Sequence, residues 1–188
     1  MIELKNISFS YGEQLILNNF NLTINGGECV QLFGVSGLGK TTVARLILGL
    51  EKAQSGHIVV PQKISAVFQE DRLLENLDVL KNIRLVLDKE QYSSAENLLK
   101  ELDLWDVRKK RISALSGGMK RRVAIIRAIA FGGDALILDE PFNGLDSINK
   151  KNIADIIKRE FIDKNKPVLL ITHIKEDADL LNAKTVNI

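Results

Sequence analysis

The segment GVSGLGKTT, residues 34–42, constrains the fold of this chain more than any other, because it matches the pattern G-x-x-x-x-G-K-S/T. It follows an apolar run, Cys29 to Phe33, and precedes a run with helical spacing, Thr41 to Leu50. Glycines let the backbone fold tightly around an anion, and the N-terminus of the next helix adds partial positive charge. The pattern therefore predicts a strand, a phosphate-binding loop and a helix.

Several residues of this loop are predicted to hold a nucleotide and a metal ion. Lys40 would reach the β- and γ-phosphates, and the hydroxyl of Thr41 would bind Mg²⁺. Successive backbone amides would surround the phosphates. The predicted nucleotide-binding residues of the loop are Gly34, Ser36, Gly37, Gly39, Lys40, Thr41 and Thr42. ATP and Mg²⁺ are therefore the expected cofactors.

A second apolar run, ALILDEP at residues 135–141, ends in two acidic residues. Burial up to Leu138 places Asp139 at the carboxyl end of a strand, where open α/β sheets bind their ligands. Asp139 then suits Mg²⁺, and Glu140 suits the polarisation of an attacking water. Two acids after a strand would by themselves indicate a solvated strand end. The phosphate-binding loop makes catalysis the better interpretation.

The apolar pattern changes along the chain and predicts an α/β fold. Near the N-terminus, residues 2–9 and 20–24 alternate loosely between apolar and polar positions, which is typical of antiparallel strands. Later apolar runs are short and nearly solid, which is typical of buried parallel strands; they are Cys29 to Phe33, Ala135 to Leu138 and Val168 to Ile171. We expect a mainly parallel sheet with an antiparallel β layer beside it.

The segment Leu73 to Ala114 is rich in Leu, Lys and Glu and has helical apolar spacing. It predicts a helical subdomain inserted in the core. The whole chain, 1–188, is then expected to form one domain. Its core would comprise about 1–72 and 115–188, with the subdomain extending into the helix that follows residue 115.

Charge and hydropathy indicate which partners and which cellular location to expect. A net charge of +2 with 27% charged residues gives no reason to expect nucleic acid as a partner. Cys29 lies in an apolar run, which favours a buried side chain over a reactive thiol. No apolar run of about 18 residues is present in the sequence. We expect a cytoplasmic protein, which, if it serves a membrane, must do so by docking to an embedded partner.

The segment LSGGMKRRVAIIRAIA, residues 115–130, resembles the signature motif of ATP-binding cassette proteins. The resemblance covers essentially the whole chain, and the motifs follow the family's order. They are Tyr11, the phosphate-binding loop, Gln69, the signature, Asp139 with Glu140, the NGLD of residues 143–146, and His173. The resemblance implies a P-loop NTPase fold and an ATP-hydrolysing subunit of an ABC transporter. A glycine-rich turn before a helix would explain the two glycines but not the remaining motifs.

In this family two ATPase domains pair head to tail, and ATP lies between the loop of one and the signature of the other. The resemblance thus assigns Ser116, Gly117 and Gly118 to the γ-phosphate of a partner's nucleotide, and Asp146 to the contact between the two domains. It implies a second copy or a homologous ATPase subunit as partner, and a separate membrane permease. An extracytoplasmic substrate-binding protein would join them in an importer, with this chain on the inner face of the membrane.

Three further roles come from the resemblance. Tyr11 would stack on adenine, although a single aromatic side chain could equally belong to the core. Gln69 would touch Mg²⁺ and the attacking water, and its alternative is an exposed strand end. His173, directly after an apolar strand, would bond the γ-phosphate and act in catalysis with Glu140 and Gln69.

The sequence also departs from the family pattern. Met119 replaces the usual glutamine, Arg121 stands where glutamine is frequent, and Ala114 stands where an acid is frequent. Residues 143–144, Asn-Gly, replace a more common small pair. None of these changes removes a catalytic group, so hydrolysis remains the prediction.

The segment FQEDRLLENLDVLKNI, residues 68–83, resembles importers of the nitrate, sulfonate and taurine kind. The alternative function is that of a cassette ATPase outside transport, acting in translation, DNA repair or cofactor assembly. Translation-type relatives usually carry two cassettes, and repair-type relatives carry a long coiled coil. Trp105 and the apolar residues from Leu73 to Leu80 are candidates for a permease-docking groove, with a core role for Trp105 as the alternative.

Overall fold

Eight strands and six α-helices are present in the computed structural model, which describes residues 1–35 and 37–188. The strands are β1 (Ile2–Tyr11), β2 (Gln14–Ile24), β3 (Cys29–Phe33), β4 (Ser55–Val59), β5 (Ile64–Val67), β6 (Ala135–Asp139), β7 (Val168–Ile171) and β8 (Lys184–Asn187). The helices are α1 (Lys40–Ile47), α2 (Val79–Arg84), α3 (Tyr92–Glu101), α4 (Gly117–Phe131), α5 (Ser147–Ile157) and α6 (Lys175–Leu180). A π-helical turn, Lys158–Ile162, continues α5.

The central sheet is parallel, with the strand order β5-β6-β7-β3-β8. All the side chains of β6 and β7 are buried, which explains their solid apolar sequences. Because parallel strands end at the same edge, the residues that follow β3, β6 and β7 meet there. The predicted parallel core is confirmed, and this edge carries the phosphate-binding loop.

The antiparallel layer consists of β2, β1 and β4, in that order. β1 and β2 pair from Ile2 opposite Ile24 to Tyr11 opposite Gln14. Both strands are longer than the alternating stretches that predicted them, because register shifts in the pairing interrupt the apolar alternation. The predicted layer is confirmed, and it brings β2 and the end of β1 beside the loop.

Two apolar clusters cover the two faces of the parallel sheet. Alternate residues of β6 point to opposite faces: Leu136 and Leu138 join one cluster, and Ala135 and Ile137 join the other. The first cluster also contains apolar residues of α2, α3 and α4. Because one apolar cluster contains residues of both the parallel sheet and these helices, it supports our proposal that the helical subdomain and the core form one domain.

The segment 73–114 is helical only in part, since α2 and α3 are short and are joined by turns. Asp78 caps α2 by accepting a hydrogen bond from the backbone N–H of Lys81. The buried amide of Asn82 binds both the N–H and the carbonyl of Leu74, at 2.8 and 3.0 Å. These polar contacts fix the chain ahead of α2.

One helix boundary was predicted wrongly. The helical run from Thr41 was expected to continue to Leu50, but α1 ends at Ile47. Gly49 has φ +68°, a left-handed conformation that terminates helices. Nowhere in ranges 1–35 and 37–188 does a helix combine the length and hydropathy needed to cross a bilayer.

Candidate nucleotide-binding and catalytic site

The phosphate-binding loop connects β3 to α1 and requires glycine at two described positions. Gly39 precedes α1 with φ +98°, and a Cβ atom there would lie 2.7 Å from Cγ2 of Ile16 in β2. Gly37 has φ +89°, and apart from its two chain neighbours no atom of the described residues lies within 4 Å of its Cβ position. Conformation alone requires glycine at 37, while conformation and close packing both require it at 39. Ser36 lies outside the described residues.

Lys40 lies against this loop. Its ammonium donates hydrogen bonds to the carbonyls of Gly34 and Val35, at 2.7 and 2.9 Å. An ammonium has three N–H donors, so one remains for a phosphate oxygen. The loop therefore orients Lys40 through its own backbone.

Thr41 and Asp139 bring two oxygen atoms together at the carboxyl edge of the sheet. The hydroxyl of Thr41 donates to Oδ2 of Asp139 over 3.2 Å, and Asp139 is buried at the end of β6. Burial raises the pKa of Asp139, and the charge of Glu140 raises it further, against the hydrogen bond from Thr41. Hydroxyl and carboxylate oxygens suit a hard cation.

This donor set fits Mg²⁺ held together with a nucleotide. In the described part of the chain, no group of three or more His, Cys, Asp or Glu side chains could hold a metal alone. Mg²⁺ usually binds one or two carboxylates plus substrate phosphates and water. One buried aspartate beside a hydroxyl and a phosphate-binding loop matches this usual coordination of Mg²⁺.

Asp139 makes a pH-dependent contribution to stability. Its raised pKa means that the folded state binds this proton more tightly than the unfolded state. The free energy of unfolding therefore falls as pH rises from the ordinary aspartate pKa through the raised one. We expect Asp139→Asn to be more stable than the parent at pH 7, with the difference vanishing under acid conditions. Urea unfolding between pH 3 and 8 measures it.

Asp146→Asn is the control, because the stability contribution of Asp146 depends on pH in the opposite direction. The N–H of Asn149 bonds the carboxylate of Asp146 and lowers its pKa, so this group contributes stability at neutral pH that is lost as pH falls. Equal pH dependence in parent and Asp139→Asn would show that Asp139 carries no such penalty.

Glu140 directly follows Asp139 and has an unusual backbone. Its φ is +49°, and its N–H donates to the carbonyl of Ile171 over 2.8 Å. Its Oε1 lies 2.8 Å from Nδ1 of His173, while Oε2 is buried without a hydrogen-bond partner among the described residues. Strained backbone and unsatisfied buried oxygens concentrate at functional sites. Oε2 is therefore free to accept a proton.

The contact with Glu140 affects what His173 can do. A neutral ring that donates from Nδ1 to the carboxylate presents a lone pair at Nε2. Donation to a phosphate then requires the imidazolium form or a break in the Glu140 contact. The predicted bond from His173 to the γ-phosphate therefore needs one of these two changes.

A cavity of about 700 Å³ at this edge collects most of the predicted site residues. It is lined by Tyr11, Gly34, Gly37, Gly39, Lys40, Thr41, Thr42, Gln69, Asp139, Glu140 and His173, and also by Ile16, Val35, Asn143 and Ile171. Sequence reasoning did not select Ile16, since a β2 residue carries no signal for a loop that it packs against. The side chain of Tyr11 is 45% exposed, so the core alternative for it is wrong.

The signature residues Ser116, Gly117 and Gly118 do not line this cavity. Ser116 caps α4, its Oγ accepting from the N–H of Met119 over 3.3 Å. A Cβ on Gly118 would lie 3.2 Å from the carbonyl of Gly144, whereas one on Gly117 would meet nothing within 4 Å. Asp146 also lies outside the cavity lining and caps α5.

Two sequence features have structural explanations. Trp105 is half-buried against the first apolar cluster, with Arg108 4.0 Å and Lys100 4.9 Å from its ring centroid. Leu74, in the other part of the predicted docking groove, is 49% exposed. Cys29 is buried, as expected, and burial raises the pKa of its thiol to about 12.

Comparison with known proteins agrees with this geometry. The family model described as ABC transporter matches residues 17–143. The aliphatic sulfonates import ATP-binding protein SsuB 3 of Rhodococcus jostii (strain RHA1) is 36% identical over 94% of this chain and 67% of its own length. The ergothioneine transport ATP-binding protein EgtV of Helicobacter pylori (strain G27) is 33% identical over 100% of this chain and 97% of its own length.

Solved structures give the same result. One ATP-binding subunit of an ABC transporter superposes with a TM-score of 0.92 at 26% identity, over 100% of this chain and 85% of that one. A dimeric ATP-binding cassette in a post-hydrolysis state with ADP and Pi has a TM-score of 0.87 at 28% identity, over 100% and 94%.

The chain therefore belongs to the ABC transporter family. The predicted P-loop NTPase fold and the predicted class, an ATP-binding and ATP-hydrolysing transporter subunit, are confirmed.

Proposed function

We propose that this chain drives import through a separate membrane permease, as one half of a head-to-tail ATPase pair. The carrying observation is the division of the predicted site. Loop, metal-binding and acid–base residues line one cavity, while the signature residues lie outside it. A second chain that supplies its signature would complete the site.

In the proposed mechanism the cavity residues have separate roles. Lys40 and the loop amides bind the β- and γ-phosphates, and Tyr11 packs on adenine. Thr41, Asp139 and Gln69 hold Mg²⁺, which when bound would neutralise charge on the phosphate oxygens.

Glu140 acts as general base in this proposal. Its Oε2 accepts the proton of the attacking water, while Oε1 stays bonded to His173. His173 fixes the carboxylate through Nδ1, and a ring protonated on both nitrogens would donate from Nε2 to the γ-phosphate. Gln69 orients the same water from the adjacent strand, since it follows β5, which pairs with β6.

Gly117 supports the proposed head-to-tail pairing of two ATPase chains. Its φ is not in the left-handed region, and beyond its own helix and adjacent residues nothing in the described part of the chain lies within 4 Å of a Cβ placed there. This chain alone therefore gives no reason for glycine at 117. Close approach of a partner's nucleotide to the start of α4 supplies one.

The name of the Rhodococcus relative, an import ATP-binding protein, supports import. Permease docking would use the exposed side chain of Leu74 and the half-buried Trp105. This arrangement puts the chain on the inner face of the membrane, with an extracytoplasmic substrate-binding protein as a further partner of the complex. Two copies, or this chain and a homologue, would form the ATPase pair.

Copurification tests this proposal. Tagged Glu140→Gln protein is expressed in the native host, membranes are solubilised gently with ATP and Mg²⁺, and bound proteins are identified by mass spectrometry. We expect an integral membrane permease at near-equal amount. Recovery of ribosomal, repair or assembly proteins without a permease would instead support a cassette ATPase outside transport.

A further inference from the structure

Two arginines of α4 bind the backbone of the segment that follows β5. We call residues 68–72 the Gln69 segment. Arg121 donates to the carbonyls of Phe68 and Gln69, at 2.7 and 2.5 Å. Arg127 donates to the carbonyls of residues 71 and 72, both at 2.9 Å. Four of the five carbonyls of the segment thus bind α4 through charged donors.

The burial of Arg121 makes its hydrogen bonds to the Gln69 segment necessary. Arg121 is only 7% exposed, so its guanidinium depends on these carbonyls for hydrogen bonds. Its Nη1 also lies 3.2 Å from Oδ1 of Asp71, although no donor in the described part of the chain is aligned with that oxygen. Burial lowers the pKa of Arg127, and the charge of Asp71 opposes that effect.

The segment is also shaped by its own side chains. Arg72 has φ +49°, and its guanidinium lies 3.7 Å from the ring centroid of Phe68. A left-handed residue and a cation–π contact close the segment into a compact turn. The two arginines of α4 hold this turn from one side.

The position of Gln69 follows from these contacts. Arg121 fixes the carbonyl of Gln69, and the side chain of Gln69 lines the cavity with Thr41 and Asp139. Arg121 lies one helical turn after Gly117 on the same rigid helix. A displacement of the start of α4 therefore displaces the backbone of Gln69.

We propose that Arg121 and Arg127 are positioning residues that couple the signature helix to the metal-binding side chain of Gln69 within one chain. This inference rests on the proposed function for the role of Gln69. The coupling explains why arginine at 121, a departure from the frequent glutamine, is compatible with hydrolysis: a planar guanidinium reaches two adjacent carbonyls at once.

Spin-label mobility tests the clamp without nucleotide. A nitroxide is attached at the exposed site Glu70→Cys, and Cys29 does not compete because it is buried with a thiol pKa near 12. We expect an immobilised spectrum in the parent and a mobile component in Arg121→Gln and in Arg127→Gln. Arg121→Lys, which keeps the charge but not the planar fork, is expected to fall between parent and Arg121→Gln.

Arg159→Gln is the matched control, since Arg159 makes two side-chain bonds to Glu101 far from the segment. It should leave the spectrum unchanged. An unchanged spectrum in both Arg121→Gln and Arg127→Gln would overturn the clamp. So would equal loosening in Arg159→Gln, because the effect would then be general. If Arg121→Gln does not fold, Arg121→Lys and Arg127→Gln decide the question.

The second readout is the Mg²⁺ requirement. We expect the Mg²⁺ concentration for half-maximal ATP hydrolysis to rise about tenfold in Arg121→Gln, as for other residues that orient a metal ligand. ATP affinity measured with excess chelator should change less than twofold. An unchanged Mg²⁺ requirement would overturn the coupling even if the segment loosened. A parent without ATPase activity would contradict the proposed function, while the spin-label result would still decide the clamp.

Discussion

Replacement of Glu140 by Gln is expected to lower the rate of ATP hydrolysis by about 100- to 10 000-fold, the usual contribution of a general base. The reason is geometric. Oε1 is held by His173 at 2.8 Å, and Oε2 is buried without a partner in the part of the chain described, so it is positioned to take a proton from water. An amide has the same shape but cannot serve as that base.

ATP affinity should change little in Glu140→Gln, because Lys40 and the loop bind the phosphates independently of this side chain. Phosphate release in single-turnover and steady-state assays measures the rate, and equilibrium binding of a fluorescent ATP analogue measures affinity. Glu160→Gln is the control, since Glu160 pairs with Arg159 and Lys164 away from the cavity. Hydrolysis at the parental rate in Glu140→Gln would show that another group is the base.

Replacement of Gly117 by Asp should abolish activity without harming the fold. No acidic residue occupies the first turn of α4, so a carboxylate there is expected to stabilise the helix by about 0.3–1 kcal/mol. Facing a partner's γ-phosphate, the same carboxylate would be repelled by about 4 kcal/mol at ~4 Å with an effective dielectric constant near 20. We expect at least a 100-fold loss of ATPase activity.

Gly117→Ala is the matched control for the charge. It has room in its own chain and should retain both the fold and a larger share of activity. Urea unfolding of the three proteins separates a folding defect from a site defect. A stable Gly117→Asp protein with parental activity would contradict the assignment of Gly117 to a partner's nucleotide, and an unstable one would contradict the expected stabilisation of α4.

Local sequence is enough to predict where several residues of the proposed site lie. The loop at Gly34 to Thr42 and the acids at 139 and 140 each follow an apolar strand, and parallel pairing brings the strand ends to one edge. Position 39 requires glycine for two reasons. The loop gives it a left-handed conformation, and Ile16 leaves no room for a Cβ atom. The sequence indicates the first requirement but not the second, because Ile16 reaches the loop only through tertiary packing.

Longer-range contacts were not predictable. Arg121 differs from the family pattern by one side chain, and nothing in the sequence tells that it binds carbonyls 52 and 53 residues upstream. Likewise the hydroxyl of Tyr11 bonds Glu51, which is 40 residues away. The apolar spacing of 73–114 predicted helices but not their short lengths, since buried polar contacts such as those of Asn82 set their limits.

The central claim is that two chains close on ATP, each completing the other's site. The most direct measurement is the solution mass of Glu140→Gln, by light scattering, with and without ATP and Mg²⁺. We predict the 21.0 kDa monomer without nucleotide and twice that mass with it, and a return to the monomer when Gly117→Asp is added. If Glu140→Gln remains monomeric with saturating ATP and Mg²⁺ although the parent hydrolyses ATP, the claim is contradicted.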